Sequence, residues 1–167
     1  MIASTFERFE WGVKRVNALF ALLAAGLVLI VMIVGVTATL SRAFGLNLLW
    51  AHDVAQTAFV YLVFLTLGPA LQSGHHVSVE LFETLVPRRA RKYLDHVAAF
   101  ACILFGAIFL KFLWQLTSRS FDDGRLAMAA IEIPLKWIQL AGPLGAIQFV
   151  LTALMNLGLS QRRLMAG

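Results

Sequence analysis

The stretch that decides the fold is residues 16–41, which read VNALFALLAAGLVLIVMIVGVTATLS and contain no charged residue. At 1.5 Å per residue, a helix of this length would be about 39 Å long. About 20 apolar residues are enough to cross the hydrocarbon core of a bilayer, so this run predicts a membrane-spanning helix. Because the apolar part of a signal peptide is only about 7–15 residues long, we do not expect the run to be a cleaved leader.

Three further runs are of the same kind. They cover residues 54–74, 94–117 and 137–159, and the only charged residue in their interiors is Lys111. In lipid every backbone N–H and C=O must be satisfied within the segment, so each run is predicted to be helical. A barrel is excluded because the runs are continuously apolar instead of alternating. The sequence therefore predicts an all-α integral membrane protein, a single membrane domain with four transmembrane helices.

The composition fits the same class of protein. Of the 167 residues, 60% are hydrophobic and 14% are charged, whereas about a quarter of the residues in an ordinary soluble domain are charged. This excludes a disordered chain, a soluble nucleic-acid-binding domain and a disulfide-rich secreted module. The net charge of +5 then fits basic loops at a membrane surface, and we expect no nucleic-acid partner. The single cysteine, Cys102, can form neither an intramolecular disulfide nor a cysteine-based metal site.

The distribution of Lys and Arg predicts the orientation in the membrane. Nine of these residues lie in segments 1–15, 75–93 and 160–167, and four lie in segments 42–53 and 118–136. Lys and Arg are enriched in the cytoplasmic segments of membrane proteins. Both termini and the middle loop are therefore predicted to be cytoplasmic, and the other two loops are predicted to face outward.

Two of the predicted cytoplasmic segments have amphipathic patterns. Apolar residues recur at helical spacing in the arm 1–15, which predicts either a helix in the membrane interface or a simple charged flank of the first span. In the loop 75–93 a similar pattern predicts a short helix at the inner leaflet. A basic cluster follows it and is a candidate for binding lipid headgroups, although non-specific positive-inside anchoring is the simpler explanation. The cluster consists of Arg88, Arg89, Arg91 and Lys92.

The interiors of the predicted spans hold almost no group that could carry a solute. Transporters usually place ionisable residues at mid-membrane, and here only Lys111 is available. Extension of its ammonium to the interface, or pairing with Asp53, explains it better than a substrate role. Gly68 and Gly142, each followed by proline, are interpreted as positions of close helix approach. Uncharged polar residues are expected to bridge helices, namely Gln56, Thr57, Thr66, Gln115, Gln139, Gln148 and Asn156.

No motif for catalysis or cofactor binding is present: the chain has no P-loop, dinucleotide-binding fingerprint, GxSxG or HExxH sequence. We therefore expect no enzyme activity, no metal and no cofactor. The histidines leave one alternative, because two histidines on facing helices can hold a haem in the membrane anchor of a redox complex. His75 or His76 could pair with His96, but these residues lie at helix ends, where polar caps are common. The alternative function is thus a haem- or quinone-binding four-helix anchor.

Several motifs in a fixed order resemble a known family. WAHD at 50–53 opens the second span, GHHVSVE at 74–80 follows it, and VPRR at 86–89 precedes the third span. The last span is introduced by IPLKW at 133–137 and contains GPLG at 142–145. Together they resemble the small permease subunit of tripartite ATP-independent periplasmic (TRAP) transporters. The resemblance covers all four spans, although the family often has Glu in place of the aspartate of the first motif.

The resemblance implies a sodium-coupled, three-part importer in the bacterial inner membrane. A periplasmic substrate-binding protein would bind an organic acid, either a carboxylate or a sulfonate, and a large elevator-type permease subunit would transport it. The small subunit would scaffold the large one, help to dock the loaded binding protein and contact membrane lipids. That this chain has no substrate site of its own is a separate inference, which rests on the near absence of charge in its spans.

Two groups of residues are candidates for contacts in such an assembly. Subunit-interface or structural roles are expected for Trp50, Asp53, His76, Glu80 and Lys111. Of these, His76 and Glu80 are expected to pair with each other or with the basic cluster, and Asp53 and Lys111 to pair with each other or with the large subunit. Docking of the periplasmic protein is expected at Asp122, Asp123 and Arg125, for which simple solvation is the alternative.

Overall fold

The computed structural model describes residues 2–73, 88–123, 126–127 and 134–165. In these ranges the chain forms four helices, which are α1 (Ile2–Ala43), α2 (Leu49–Gln72), α3 (Arg88–Asp123) and α4 (Leu135–Met165). Each helix contains a stretch long and apolar enough to cross a membrane. The predicted all-α membrane fold is confirmed, and the chain is a multi-pass membrane protein.

The helices extend beyond the apolar runs that predict them. α1 passes from the arm into the first span without interruption, so residues 2–15 are the first turns of one 42-residue helix. α3 begins at Arg88, before the predicted start at residue 94, and ends at Asp123, after the predicted end at residue 117. Arg, Lys, Glu and Gln have high helix propensity, and adding a residue to an existing helix is far easier than starting one. The apolar runs therefore locate the spans but not the ends of the helices.

A glycine turn ends α1 and returns the chain into α2. Gly45 has a φ of 76°, in the left-handed region that favours glycine. Its N–H donates to the carbonyl of Arg42 at 3.0 Å, and the N–H of Leu46 donates to the carbonyl of Ser41 at 2.9 Å. This pair of hydrogen bonds is a Schellman motif, which satisfies the last carbonyls of the helix.

α4 is the central helix of the bundle and contacts all three of the others. Half of its most apolar window is buried, compared with 6% for the corresponding windows of α1 and α3. Gly106 of α3 lies against Phe149, and Gly142 lies against Leu113 of α3, so α3 and α4 are antiparallel. The remaining contacts show that α2 runs parallel to α4 and that α1 runs antiparallel to α4. Both termini therefore lie at the same end of the bundle.

Glycines allow the helices to approach each other closely. A Cβ at Gly145 would overlap the backbone carbonyl of Phe64, so α2 and α4 are in contact through their main chains. A Cβ at Gly68 or Gly142 would lie within 3.0 Å of a side chain on a facing helix. The prediction of close approach at these two positions is confirmed. In the absence of a hydrophobic driving force inside lipid, this close packing is a main source of helix association.

Candidate functional site

Buried and half-buried polar side chains from three helices meet in one cluster, which we call the polar junction. It consists of Asn17 of α1, Gln72 of α2, and Gln148 and Thr152 of α4. Asn17 is 2% exposed, Gln148 is 4% exposed and Thr152 is fully buried. Helices that contribute such groups must satisfy them within the protein, because lipid offers no hydrogen bond.

The amide of Asn17 is the centre of the polar junction. Its Nδ2 donates to Gln72 Oε1 at 2.6 Å and to Thr152 Oγ1 at 3.0 Å. Its Oδ1 accepts a hydrogen bond of 2.7 Å from Gln148 Nε2, which also lies 3.3 Å from the carbonyl oxygen of Val13. The hydroxyl of Thr152 donates to the carbonyl of Gln148 at 2.8 Å. The network links α1, α2 and α4 at one level of the bundle, and such linked networks specify a single packing arrangement.

Gly68 makes room for the polar junction. A Cβ at this position would lie 2.6 Å from Asn17 Oδ1 and 2.8 Å from Gln148 Cγ. Gly68 itself is buried in α2, one turn before Gln72. The glycine therefore has a packing role that depends on the amide it faces.

Several of the residues expected to bridge helices can be located. Gln148 bridges as predicted, and so does Asn156, whose Nδ2 donates to the carbonyl of Leu71 at 3.3 Å. Thr66 does not bridge, because its hydroxyl bonds to the carbonyls of Leu62 and Val63 in its own helix. Gln56 and Gln115 are exposed. Within the described ranges, the only buried side-chain polar atom without a hydrogen bond is Oε1 of Gln139.

Asn17, Gln72 and Thr152 were not expected to bridge. Asn17 is the only side-chain amide in the run 16–41. Its isolation among apolar residues was the one feature of the sequence that could have indicated a bridging role. The sequence shows that it interrupts an apolar run but does not show which helices it faces.

Aromatic residues attach α3 to the rest of the bundle. Phe109 stacks with Phe64 of α2 and with Phe105, at centroid distances of 6.2 and 5.6 Å, and Phe105 meets the edge of Phe149 of α4. Near the far end, Thr117 Oγ1 donates to the carbonyl of Gln139 at 3.2 Å. No charged side chain takes part in these contacts, so this described part of α3 is held by packing and a neutral hydrogen bond.

Five of the predicted site residues lie in the described part of the chain. Trp50 and Asp53 lie in the first turns of α2, Trp50 exposed and Asp53 partly buried. Lys111 is exposed in the middle of the α3 span. Asp122 and Asp123 are exposed at the end of α3.

The structure does not bring Asp53 and Lys111 together. Gly106 faces Phe149 and Leu113 faces Gly142, so Lys111 is level with the region of Gly145. Gly145 in turn lies against Phe64 of α2. Phe64 is eleven residues beyond Asp53, which corresponds to roughly 16 Å of helix rise. A direct pair would have to span this distance along the bundle.

The side chains of the other predicted residues are not described. His76, Glu80 and Arg125 belong to ranges that are not described. Arg88, Arg89, Arg91 and Lys92 are in the first turns of α3, but only their backbone is described. The expected pairing of His76 and Glu80 and the expected headgroup contacts therefore remain predictions. His75 also lies outside the described residues and only the backbone of His96 is described, so the pairing of His75 or His76 with His96 around a haem is not tested.

A row of exposed polar residues follows one side of α3. Lys111, Gln115, Ser118 and Asp122 are spaced by three or four residues, which places them on one helix face. We call this row the α3 stripe. Ser118 Oγ donates to the carbonyl of Gln115 at 3.1 Å, within the helix. The stripe leads from the middle of the span to its end at Asp123.

The buried polar groups of the described helices have a structural role. Buried polar groups hold helices together, and in the described ranges no group of three His, Cys, Asp or Glu side chains could hold a metal ion. The chain is thus a four-helix membrane protein, and in its described part the buried polar groups link the helices.

Residues 30–163 match the family described as tripartite ATP-independent periplasmic transporters, DctQ component. The match covers most of the chain, and the chain belongs to this family, which is a transport family and not an enzyme family. The resemblance noted from the motifs is confirmed.

A curated relative gives a further comparison. The sialic acid TRAP transporter permease protein SiaT of Haemophilus influenzae (strain 86-028NP) is 29% identical over 139 residues. The aligned part covers 80% of this chain and 21% of SiaT, so the chain spans about a fifth of the length of this relative.

Proposed function

We propose that the chain is the small membrane subunit of a TRAP importer and that it scaffolds a large permease subunit. The observation that carries the proposal is the polar junction, where the buried amides and hydroxyl bond to one another. Because the span interiors contain no charge other than the exposed Lys111, substrate and coupling ions must be bound by another part of the transporter.

The comparison with SiaT supports the proposal that scaffolding and transport belong to different subunits. SiaT is named a permease for sialic acid, and only about a fifth of it corresponds to this chain. We propose that the transport step takes place in a part of the transporter that corresponds to the remainder of SiaT. For the present protein, that part is the large permease subunit, which we propose to be of the elevator type and coupled to sodium.

The substrate is an organic acid, a carboxylate or a sulfonate, delivered by a periplasmic substrate-binding protein. We propose that both termini of the chain are cytoplasmic in the bacterial inner membrane. The fold supports this by placing them at one end of the bundle, and the excess of Lys and Arg at that end sets the direction. Asp122 and Asp123, whose side chains are exposed at the end of α3, then lie on the periplasmic side, and together with Arg125 they are the residues proposed to contact the binding protein.

Reconstitution tests this assignment. Proteoliposomes would contain this chain alone, the large permease alone, or both, with the binding protein, a radiolabelled organic acid and an inward sodium gradient added outside. We expect uptake only when both membrane subunits are present, and loss of uptake when the gradient is abolished. Uptake by this chain alone, or unchanged uptake without it, would refute the proposal. Swapping in different binding proteins identifies the acid.

A further inference from the structure

Lys111 occupies an unusual position for a charged residue. It lies near the centre of the α3 span Val97–Asp123, and its side chain is exposed. The part of this span without other charged residues ends before Arg119, so Lys111 lies about 10 Å inside that end, within the hydrocarbon core. No side chain in the described ranges forms an ion pair or hydrogen bond with it. A charge in this position is costly unless a partner from outside the chain satisfies it.

The next residue of the α3 stripe adds to the free-energy cost of exposing this face to lipid. Gln115 lies one turn further along the same face, and its side chain is also exposed. A lysine stem reaches about one turn along a helix, so an extended Lys111 comes no further than the level of Gln115, and its ammonium has no acceptor for the N–H groups of that amide. Two adjacent polar side chains facing hydrocarbon favour a protein surface in contact with this face.

The exposed apolar residues of α3 differ from those of α1. Along α3 they include Phe100, Phe105, Phe112 and Trp114. Along the span of α1, the large exposed side chains from Val16 to Leu40 are all aliphatic or methionine. Aromatic residues are enriched where proteins contact each other. Both helices are equally exposed, but only α3 combines aromatic residues with a polar stripe.

A second copy of this chain does not fit the α3 stripe. A symmetric dimer places the same patch of both subunits in contact. Two Lys111 ammonium groups would then approach each other in a medium of low dielectric, where like charges repel strongly. The occupant must instead bring a negative charge or several carbonyl acceptors to this level.

We propose that the α3 stripe docks a membrane-spanning helix of the large permease subunit and that this helix presents a carboxylate to Lys111. The inference rests on the proposed function, which supplies the partner. It adds which helix of this chain forms the contact, at what depth, and with which chemistry. In this arrangement Gln115 bonds to the backbone or a polar side chain of the same helix, and the aromatic residues pack around the pair.

Site-specific photo-crosslinking in the assembled membrane complex tests the location. A benzophenone side chain would replace Lys111, Gln115 or, for comparison, Met32, which is 60% exposed on α1. Adducts with the large permease are expected from positions 111 and 115 and not from 32. Adducts only with lipid or with a second copy at 111 and 115, or adducts with the permease only at 32, would overturn the inference.

Charge removal tests the chemistry. In detergent extracts, K111M is expected to weaken co-purification of the large permease about tenfold, the effect of losing one hydrogen-bonded contact in a membrane. R42M removes an exposed cation at the end of α1 and serves as the matched control, with no expected effect. Normal association of K111M would overturn the role of the charge. If the unmodified chain does not co-purify with the permease at all, the proposed function fails instead.

Discussion

The polar junction and the α3 stripe are both polar features within the spans, but they are satisfied in different ways. In the junction, Asn17, Gln148 and Thr152 are almost completely buried and Gln72 is half-buried, and the four side chains bond to one another across three helices. In the stripe, Lys111 and Gln115 face outward. The comparison teaches that hydrogen bonding within the chain distinguishes polar groups that build a membrane fold from those that await a partner.

The largest effect is expected from filling the space beside the polar junction. G68L would drive a side chain into the amide of Asn17 and the stem of Gln148. Overpacking of this kind costs about 1–3 kcal/mol, and the loss here should be at the upper end of this range, because the helices cannot separate without breaking the network. The unfolding free energy in mild detergent, measured by denaturant titration, should fall accordingly.

The control for this prediction is G35L. Gly35 lies in α1, and no atom of a neighbouring helix lies within 4 Å of the position that a Cβ would take there, so the added leucine would face open space. If G68L were as stable as G35L, the close packing at the junction would be refuted.

A smaller effect is expected from removing the central amide. N17L leaves the amides of Gln72 and Gln148 without their partner, at a cost of about 1–3 kcal/mol. The double variant N17L/Q148L should lose less unfolding free energy than the two single variants together, because the amides of Asn17 and Gln148 are hydrogen-bonded to each other. Unfolding measurements on all three variants give this coupling.

The control for the amide is T37V. The hydroxyl of Thr37 is exposed and bonds only to the carbonyl of Ile33 in its own helix. Its loss should change the unfolding free energy very little. Strictly additive losses in N17L and Q148L would show that the junction does not act as a unit.

The smallest effect is expected at the opposite end of the α2–α4 contact. Tyr61 donates to the carbonyl of Trp137 at 2.5 Å, and Y61F removes only this hydrogen bond. Hydrogen bonds between helices in membranes average about 0.6 kcal/mol, so we expect a loss of this order in the unfolding free energy. T66V is the control, because that hydroxyl serves its own helix. If Y61F lost as much unfolding free energy as N17L, the polar junction would contribute no more to stability than this single hydrogen bond.

The sequence was sufficient to predict the helices because each needs only a continuous apolar run. It was less informative about the residues that bridge the helices. Gln148 was correctly predicted to bridge, the prediction for Thr66 was wrong, and the bridging role of Asn17 was not predicted. Whether a hydroxyl bonds to its own helix or to a neighbour depends on which way it faces. This direction is set by packing, and no local pattern contains it.

The amino-acid sequence by itself determined that this protein has four membrane spans, and its ordered motifs indicated the family, because both are properties of consecutive residues. Only the tertiary structure decided that α4 is the central helix, that Gly68 makes room for an amide of α1, and that Lys111 and Asp53 lie at different levels. These relations join residues far apart in the chain. They follow from how the helix surfaces fit together, and lipid, which is as apolar as the side chains, gives no hydrophobic pattern from which to predict that fit.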